Sequence, residues 1–289
     1  VESLKTLVDF QIDKGAFGLT ILGVMGEAAK LTVDERQLVL DTVMQTVSGR
    51  VPVVVGTSHQ NAATCIELSK SAFAAGAAGV MIAPPSRDNV PKHTPSDEWV
   101  LALYRGIADQ ISGPIVVQDF PPVSGVFMSP ELLARLADKI PTVRHLKLED
   151  PPLMQKISAI RERTDSYQIF GGLGGMFLLE ELERGAAGTM TGFAFTEILV
   201  ALYQAHQSGD RAKATVIFDK YLPLIRFENQ PGINLTIRKE LLHRRGAIQH
   251  PAPRQPYSPI DAGTHTEIDR IFERVGISDP MQTLTFDNL

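Results

Sequence analysis

A lysine inside a run that otherwise reads as a buried strand is the residue with the most chemistry to offer. Lys147 stands in VRHLKLE at 143–149. Alternate residues of a strand share a face, so His145, Lys147 and Glu149 point the same way. Lysine is rarely buried without a partner, and burial favours the neutral amine over the ammonium ion. A neutral amine attacks a ketone and forms a Schiff base. The same spacing also suits a lysine that pairs with Glu149 or Asp150 at the strand end, so two readings stay open.

Three further motifs carry polar or permissive residues. In LGVMGE at 22–27, the residues Gly23, Val24, Met25, Gly26 and Glu27 form a turn in which glycines let a ligand approach backbone amides. An ordinary loop with Glu27 in the first turn of a helix fits as well. In VVQDFPPVSG at 116–125, Gln118 and Asp119 lie where a proton-transfer group belongs, although Asp119 would also serve as a loop cap. In FGGLGG at 170–175, Gly171 and Gly172 precede a helix and suit a phosphate or carboxylate. No acidic residue on a following strand makes this a dinucleotide fingerprint. Thr191 joins these glycines as a candidate substrate contact. The histidines (His59, His93, His145, His206, His243, His250 and His265) are scattered, whereas zinc needs three or four clustered ligands. Neither a metal nor another cofactor is expected.

The elements that must position these residues are legible. Strand candidates fall at 18–23, 51–56, 79–84, 114–119, 143–149, 168–172 and 188–193. Helix candidates fall at 32–46, 61–75, 96–111, 129–139, 152–163 and 175–184, with Thr32 and Ser129 as N-caps. This alternation marks βαβ units and a parallel sheet, held in a doubly wound sheet or a closed barrel. Polar residues gathered at the C-terminal strand ends favour the barrel, whose sites are built there. Residues 4–14 read as a helix, so a first strand is expected ahead of this sequence, making eight. The expected architecture is an α/β (β/α)8 TIM barrel over 1–194, with a helical region at 195–289 packed on it.

Bulk properties bound the rest. The chain has 289 residues, 44% hydrophobic and 21% charged, with net charge −5. That suits one soluble core and gives no basic footprint for nucleic acid. No apolar stretch reaches the ~18 residues of a membrane span, and the first residues carry no signal-peptide pattern. The single cysteine, Cys65, forms no intrachain disulfide and suits a reducing cytoplasm; it reads as buried structure rather than reactive thiol.

The glycine–glutamate turn after an early strand, the proline loop after 114–119, Lys147, the Gly171–Gly172 pair and the helical C-terminal region together resemble the dihydrodipicolinate synthase / N-acetylneuraminate lyase family over nearly the whole chain. The resemblance implies a (β/α)8 barrel with a C-terminal helical bundle, a homo-oligomer (tetramer or dimer), and an imine between Lys147 and pyruvate or another 2-oxo acid. The family's early loop usually reads Gly-Thr-Thr-Gly-Glu; here Val24 and Met25 replace both threonines. The proton-shuttling tyrosine of the family falls at Gln118, and the arginine that binds the synthases' second substrate falls at Val123. The expectation is therefore a divergent Schiff-base lyase of the aldolase, dehydratase or decarboxylase type, not an authentic dihydrodipicolinate synthase. Asp119 or Glu149 would move protons, and backbone amides at 23–27 would hold the substrate carboxylate. The alternative is a catalytically degenerate barrel that binds a small molecule or a protein.

Overall fold

The computed structural model describes residues 1–86, 88 and 96–286; His93 lies outside the described residues. Among the described residues seven strands form, at β1 Leu19–Ile21, β2 Val53–Gly56, β3 Gly79–Ile82, β4 Ile115–Asp119, β5 Val143–Leu148, β6 Gln168–Gly171 and β7 Gly188–Thr189. Each pairs in parallel with the next, and the order across the sheet is the order along the chain. A doubly wound sheet would reverse direction at a switch point. This one never does, which decides between the two arrangements the alternation allowed.

Among the described residues twelve α-helices accompany the strands: α1 Glu2–Asp13, α2 Val33–Val47, α3 Ala62–Ala74, α4 Ser96–Ala108, α5 Pro121–Ser124, α6 Pro130–Lys139, α7 Leu153–Arg161, α8 Leu178–Glu183, α9 Thr196–Gln207, α10 Arg211–Glu228, α11 Asn234–Arg244 and α12 Ala262–Val275. Five of these starts are set by side-chain caps. Thr32 and Glu35 form a reciprocal capping box on α2, while Asn61, Ser129, Asp210 and Asp261 each accept an amide hydrogen from the first turn of their helices. Among the described residues no helix is long and apolar enough to cross a membrane.

Two hydrophobic clusters hold these elements. The first runs from Val8 to Ile169 and joins the strands to the helices up to α7; the second runs from Leu178 to Ile277. Helix α8 thus packs with the C-terminal helices although it precedes residue 194. Cys65 is buried in the first cluster, and burial pushes its thiol up to about 11, so it is inert at neutral pH.

Between the clusters, the chain leaving β7 is pinned by buried charge. The strand was expected to run to 193 but stops at Thr189, although the Met190 amide still donates to the Gly171 carbonyl. The Ala194 amide donates to Glu228 Oε2 at 3.0 Å, and the Ala194 carbonyl accepts from Arg245 Nη1 at 2.5 Å. Arg238 Nε binds Glu228 Oε1, and Arg245 Nη2 binds Glu197 Oε1, both at 2.5 Å. The Arg245 guanidinium also lies 4.1 Å from the Phe195 ring centroid. Gly192 is required here, since a Cβ would come 2.6 Å from Arg238 Nη1.

Removing one partner of such a pair strands the other in a dry environment. Arg245→Ala is expected to lower stability by ~3–5 kcal/mol, read as a fall in the urea unfolding midpoint; an unchanged midpoint would show the pair to be dispensable.

Candidate active site

Lys147 lies on β5 in register with Gln118 of β4 and Phe170 of β6. Registered residues of parallel neighbours face the same way, so these three share the face turned from the packed helices. Leu146 and Leu148, on the opposite face, are buried in the core. The Lys147 Nζ is 3.0 Å from Glu149 Oε2, and Gln118 Nε2 donates to that same oxygen at 3.1 Å. The Lys147 side chain is 13% exposed and that of Glu149 8%. The amine is therefore both paired, as one reading had it, and set on the interior face, as the other required.

Backbone geometry makes room for this cluster. Glu149 folds over the end of β6, where a Cβ on Gly172 would stand 2.4 Å from Glu149 Oε1. The glycine pair thus serves a carboxylate of the protein itself. Below Lys147 on the same face, the His145 ring stacks on Phe170 at 6.3 Å between centroids. Its Nδ1 has no hydrogen-bond partner, and burial favours its neutral form.

Several expected residues are placed elsewhere. Asp119, expected beside Gln118 as a proton-transfer group, turns to the opposite face, as strand alternation requires of its neighbour. It is fully buried and meets Lys156 Nζ of α7 at 2.5 Å, and Lys156 also binds Asp150 at 2.7 Å. Burial outweighs the lysine and lifts the Asp119 carboxyl to about 6. Glu27, expected at the substrate, instead binds Lys239 of α11 at 2.6 Å and accepts the Arg254 amide at 2.8 Å. Burial pushes its carboxyl upward, but these contacts outweigh it and hold Glu27 below the ordinary glutamate range.

The turn at 23–27 spends part of its own backbone. The amides of Gly26 and Glu27 close on the carbonyls of Gly23 and Val24; those of Val24 and Met25 take no partner within the chain among the described residues. The anion cradle expected at Gly171 to Gly175 is likewise closed from inside. Gly174 N donates to Thr191 Oγ1 at 2.8 Å, and Asn229 Nδ2 donates to the Leu173 carbonyl at 2.9 Å. Thr191 is a loop lock there. Among the described residues no group of three or more His, Cys, Asp or Glu side chains is arranged to hold a metal ion.

Lys156 was not singled out from the sequence, yet a signal existed. It lies among Leu153, Ile157 and Ile160 on the buried face of α7, and a lysine on such a stripe needs an anion. Ionisation of Asp119 lowers stability as pH rises from its ordinary 3.8 to about 6 and no further. In Lys156→Met the anion has no cation, and that fall continues above pH 6. The expected cost is ~3–5 kcal/mol in urea unfolding at pH 7.5 and clearly less at pH 5, where Asp119 already holds a proton. An equal cost at both values would refute the assignment.

Comparison with known proteins agrees with this architecture. The model of the Dihydrodipicolinate synthetase family matches residues 1–275. The L-2-keto-3-deoxyarabonate dehydratase of Azospirillum brasilense is 35% identical over 284 residues, covering 96% of this chain and 89% of that protein. The 4-hydroxy-tetrahydrodipicolinate synthase of Syntrophus aciditrophicus is 30% identical over 225 residues, covering 77% and 75%. The crystal structure of dihydrodipicolinate synthase from Rhodopseudomonas palustris superposes with a TM-score of 0.86 at 34% identity, covering 94% of this chain and 91% of that one. With the family match spanning both cores and the strand that carries Lys147, the chain belongs to the dihydrodipicolinate synthetase family.

Proposed function

We propose that this protein is a Schiff-base-forming lyase acting on a 2-oxo acid, with dehydration of a 2-oxo-3-deoxy acid as its reaction. The observation that carries this reading is the Lys147 amine on the interior face, 3.0 Å from a carboxylate that Gln118 holds in place. The dehydratase relative, alike along nearly the whole chain, supports the choice of reaction.

In this mechanism Lys147 Nζ attacks the C2 carbonyl, water leaves, and a protonated imine forms. The imine acidifies C3, and the Glu149 carboxylate takes the C3 proton to give an enamine. The enamine electrons expel the C4 hydroxyl, which leaves as water with the proton that Glu149 returns. Hydrolysis of the unsaturated imine frees Lys147. Gln118 has no titratable group, so its part is to hold Glu149. Asp119, turned to the other face, takes no part. The amides of Val24 and Met25 are the donors left for the substrate carboxylate.

This reading separates the protein from the synthases. Val24 and Met25 offer no hydroxyl to the keto-acid carboxylate or to a proton relay, and Val123 offers no guanidinium to a second anionic substrate. The proposed architecture is a (β/α)8-type barrel over 1–194 with the helical region at 195–289 packed on it. We place the enzyme in the cytoplasm as a homo-oligomer.

Incubation with a panel of 2-oxo acids led by pyruvate, followed by borohydride, is expected to leave a stable mass increment on Lys147. Lys147→Ala should abolish both the adduct and turnover, and retained turnover would end the imine mechanism. Glu149→Gln should lower turnover by about 10²- to 10⁴-fold while the adduct still forms. A folded protein that gives no adduct with any oxo acid would instead favour a barrel that binds without catalysis.

A further inference from the structure

Directly behind the site lies a carboxylate that the mechanism does not use. Glu181 of α8 is 1% exposed, and its Oε2 has no hydrogen-bond partner among the described residues. It packs on Gly171, where a Cβ would stand 1.8 Å from Glu181 Oε2 and 2.4 Å from Oε1. The next residue, Gly172, carries Glu149 in the same manner. Two consecutive glycines at the end of β6 thus give way to two carboxylates from different elements. Thr189, the residue of β7 in register with Gly171, has a buried Oγ1 that is also unpartnered.

The two carboxylates differ in company. Glu149 has Lys147 and Gln118. The groups that face Glu181 are acidic: Glu180 on its own helix and Glu149 beyond the glycines. Helix α8 packs against α7, α9, α10 and β7, and the cations around it are engaged elsewhere. On α7, Lys156 binds Asp119 and Asp150, and Arg161 binds the carbonyls of Tyr167 and Gly185. Glu197 of α9 is taken by Arg245, and Glu228 of α10 by Arg238. Arg184 and Arg211 are held by Ser158 and Glu183. A buried carboxylate without a cation keeps its proton.

We propose that Glu181 is a positioning residue of this site: standing as an uncharged carboxylic acid behind Gly171, it keeps a second negative charge away from the Lys147–Glu149 pair and braces the end of β6 on which Glu149 rests. The proposal rests on the reading of Lys147 as the nucleophile. A second anion there would hold a proton in the cluster more tightly, leaving less free amine to attack. Burial, reinforced by Glu180 and Glu149, lifts the Glu181 carboxyl to about 8, which sets the pH at which that anion would form.

Glu181→Gln removes the titration and keeps the shape; Glu181→Met removes it with an apolar chain of similar length and serves if the amide does not fold. Two readouts are compared with wild type, and neither needs a substrate. In thermal unfolding, the unfolded wild-type chain ionises at its ordinary 4.5 while the folded chain keeps the proton to about 8. Wild type therefore loses stability across that window and the variants do not. The Tm advantage of the variant should be least near pH 5, grow to about pH 8 and then level off. Reductive methylation of Lys147 by formaldehyde and borohydride, read by mass spectrometry, should match wild type at pH 7. At pH 9 the variant should label faster by roughly two-fold or more.

Parallel Tm curves from pH 5 to 9 would overturn the proposal, because Glu181 would then ionise as an ordinary glutamate. A widening Tm gap with identical Lys147 labelling at pH 9 would also overturn it, by confining Glu181 to a role in packing. Both outcomes are independent of whether any 2-oxo acid forms an adduct, so failure here and failure of the lyase reading are separate results.

Discussion

Charge buried where water cannot reach it is the constraint on which this structure turns. Each deeply placed carboxylate either has a cation within hydrogen-bond distance or retains its proton. Glu149 has Lys147, Asp119 has Lys156, Glu228 has Arg238, Glu197 has Arg245 and Glu27 has Lys239. Three of these pairs, those of Asp119, Glu197 and Glu27, join elements far apart in the chain. Asp119 and Lys156 tie β4 to α7, while Glu228, Arg238 and Arg245 lock the exit of β7 into the helical layer. The apolar clusters supply the bulk of the packing, and the pairs decide which strand end faces which helix.

Within that frame the site is assembled from three strand ends. β4 contributes Gln118, β5 contributes Lys147 and Glu149, and β6 contributes the glycines that leave room for a carboxylate. Strand alternation sorts the polar residues: neighbours in sequence such as Gln118 and Asp119 end on opposite faces, with opposite roles. One oxygen of Glu149 takes both the lysine and the glutamine, so the proposed acid–base group and the proposed nucleophile share a single anchoring point. A displacement of β4 relative to β5 would disturb both at once.

Much of the fold was legible from residue types alone. All seven strands were visible as apolar runs, and two helix starts were marked by Thr32 and Ser129 with their hydrogen-bonding oxygens. The exception was β7. Its run of Met190 to Phe193 reads as a strand, yet the strand ends at Thr189; just past the run, Glu228 and Arg245, 34 and 51 residues further on, hold the Ala194 backbone, and nothing local announces this. Lys147 and Glu149 were legible because a charge inside an apolar strand is conspicuous. Glu27 was misplaced because its partner Lys239 lies 212 residues away. Glu181 was overlooked because a glutamate in LLEELE looks like any solvated helix residue. Only the close approach of Gly171 shows that it faces inward.

The turn at 23–27 and the far end of the chain form one mechanical unit. Lys30 donates to the carbonyls of Arg254 and Pro256, the Arg254 amide donates to Glu27, and Lys239 closes the ring from α11. The loop nearest the proposed substrate carboxylate is thereby moored to a proline-rich strap more than two hundred residues downstream. Variation in that strap, far from any reacting atom, becomes a means of retuning the loop. A substitution in the strap is thereby felt at the loop, with Lys147 and its carboxylate left untouched.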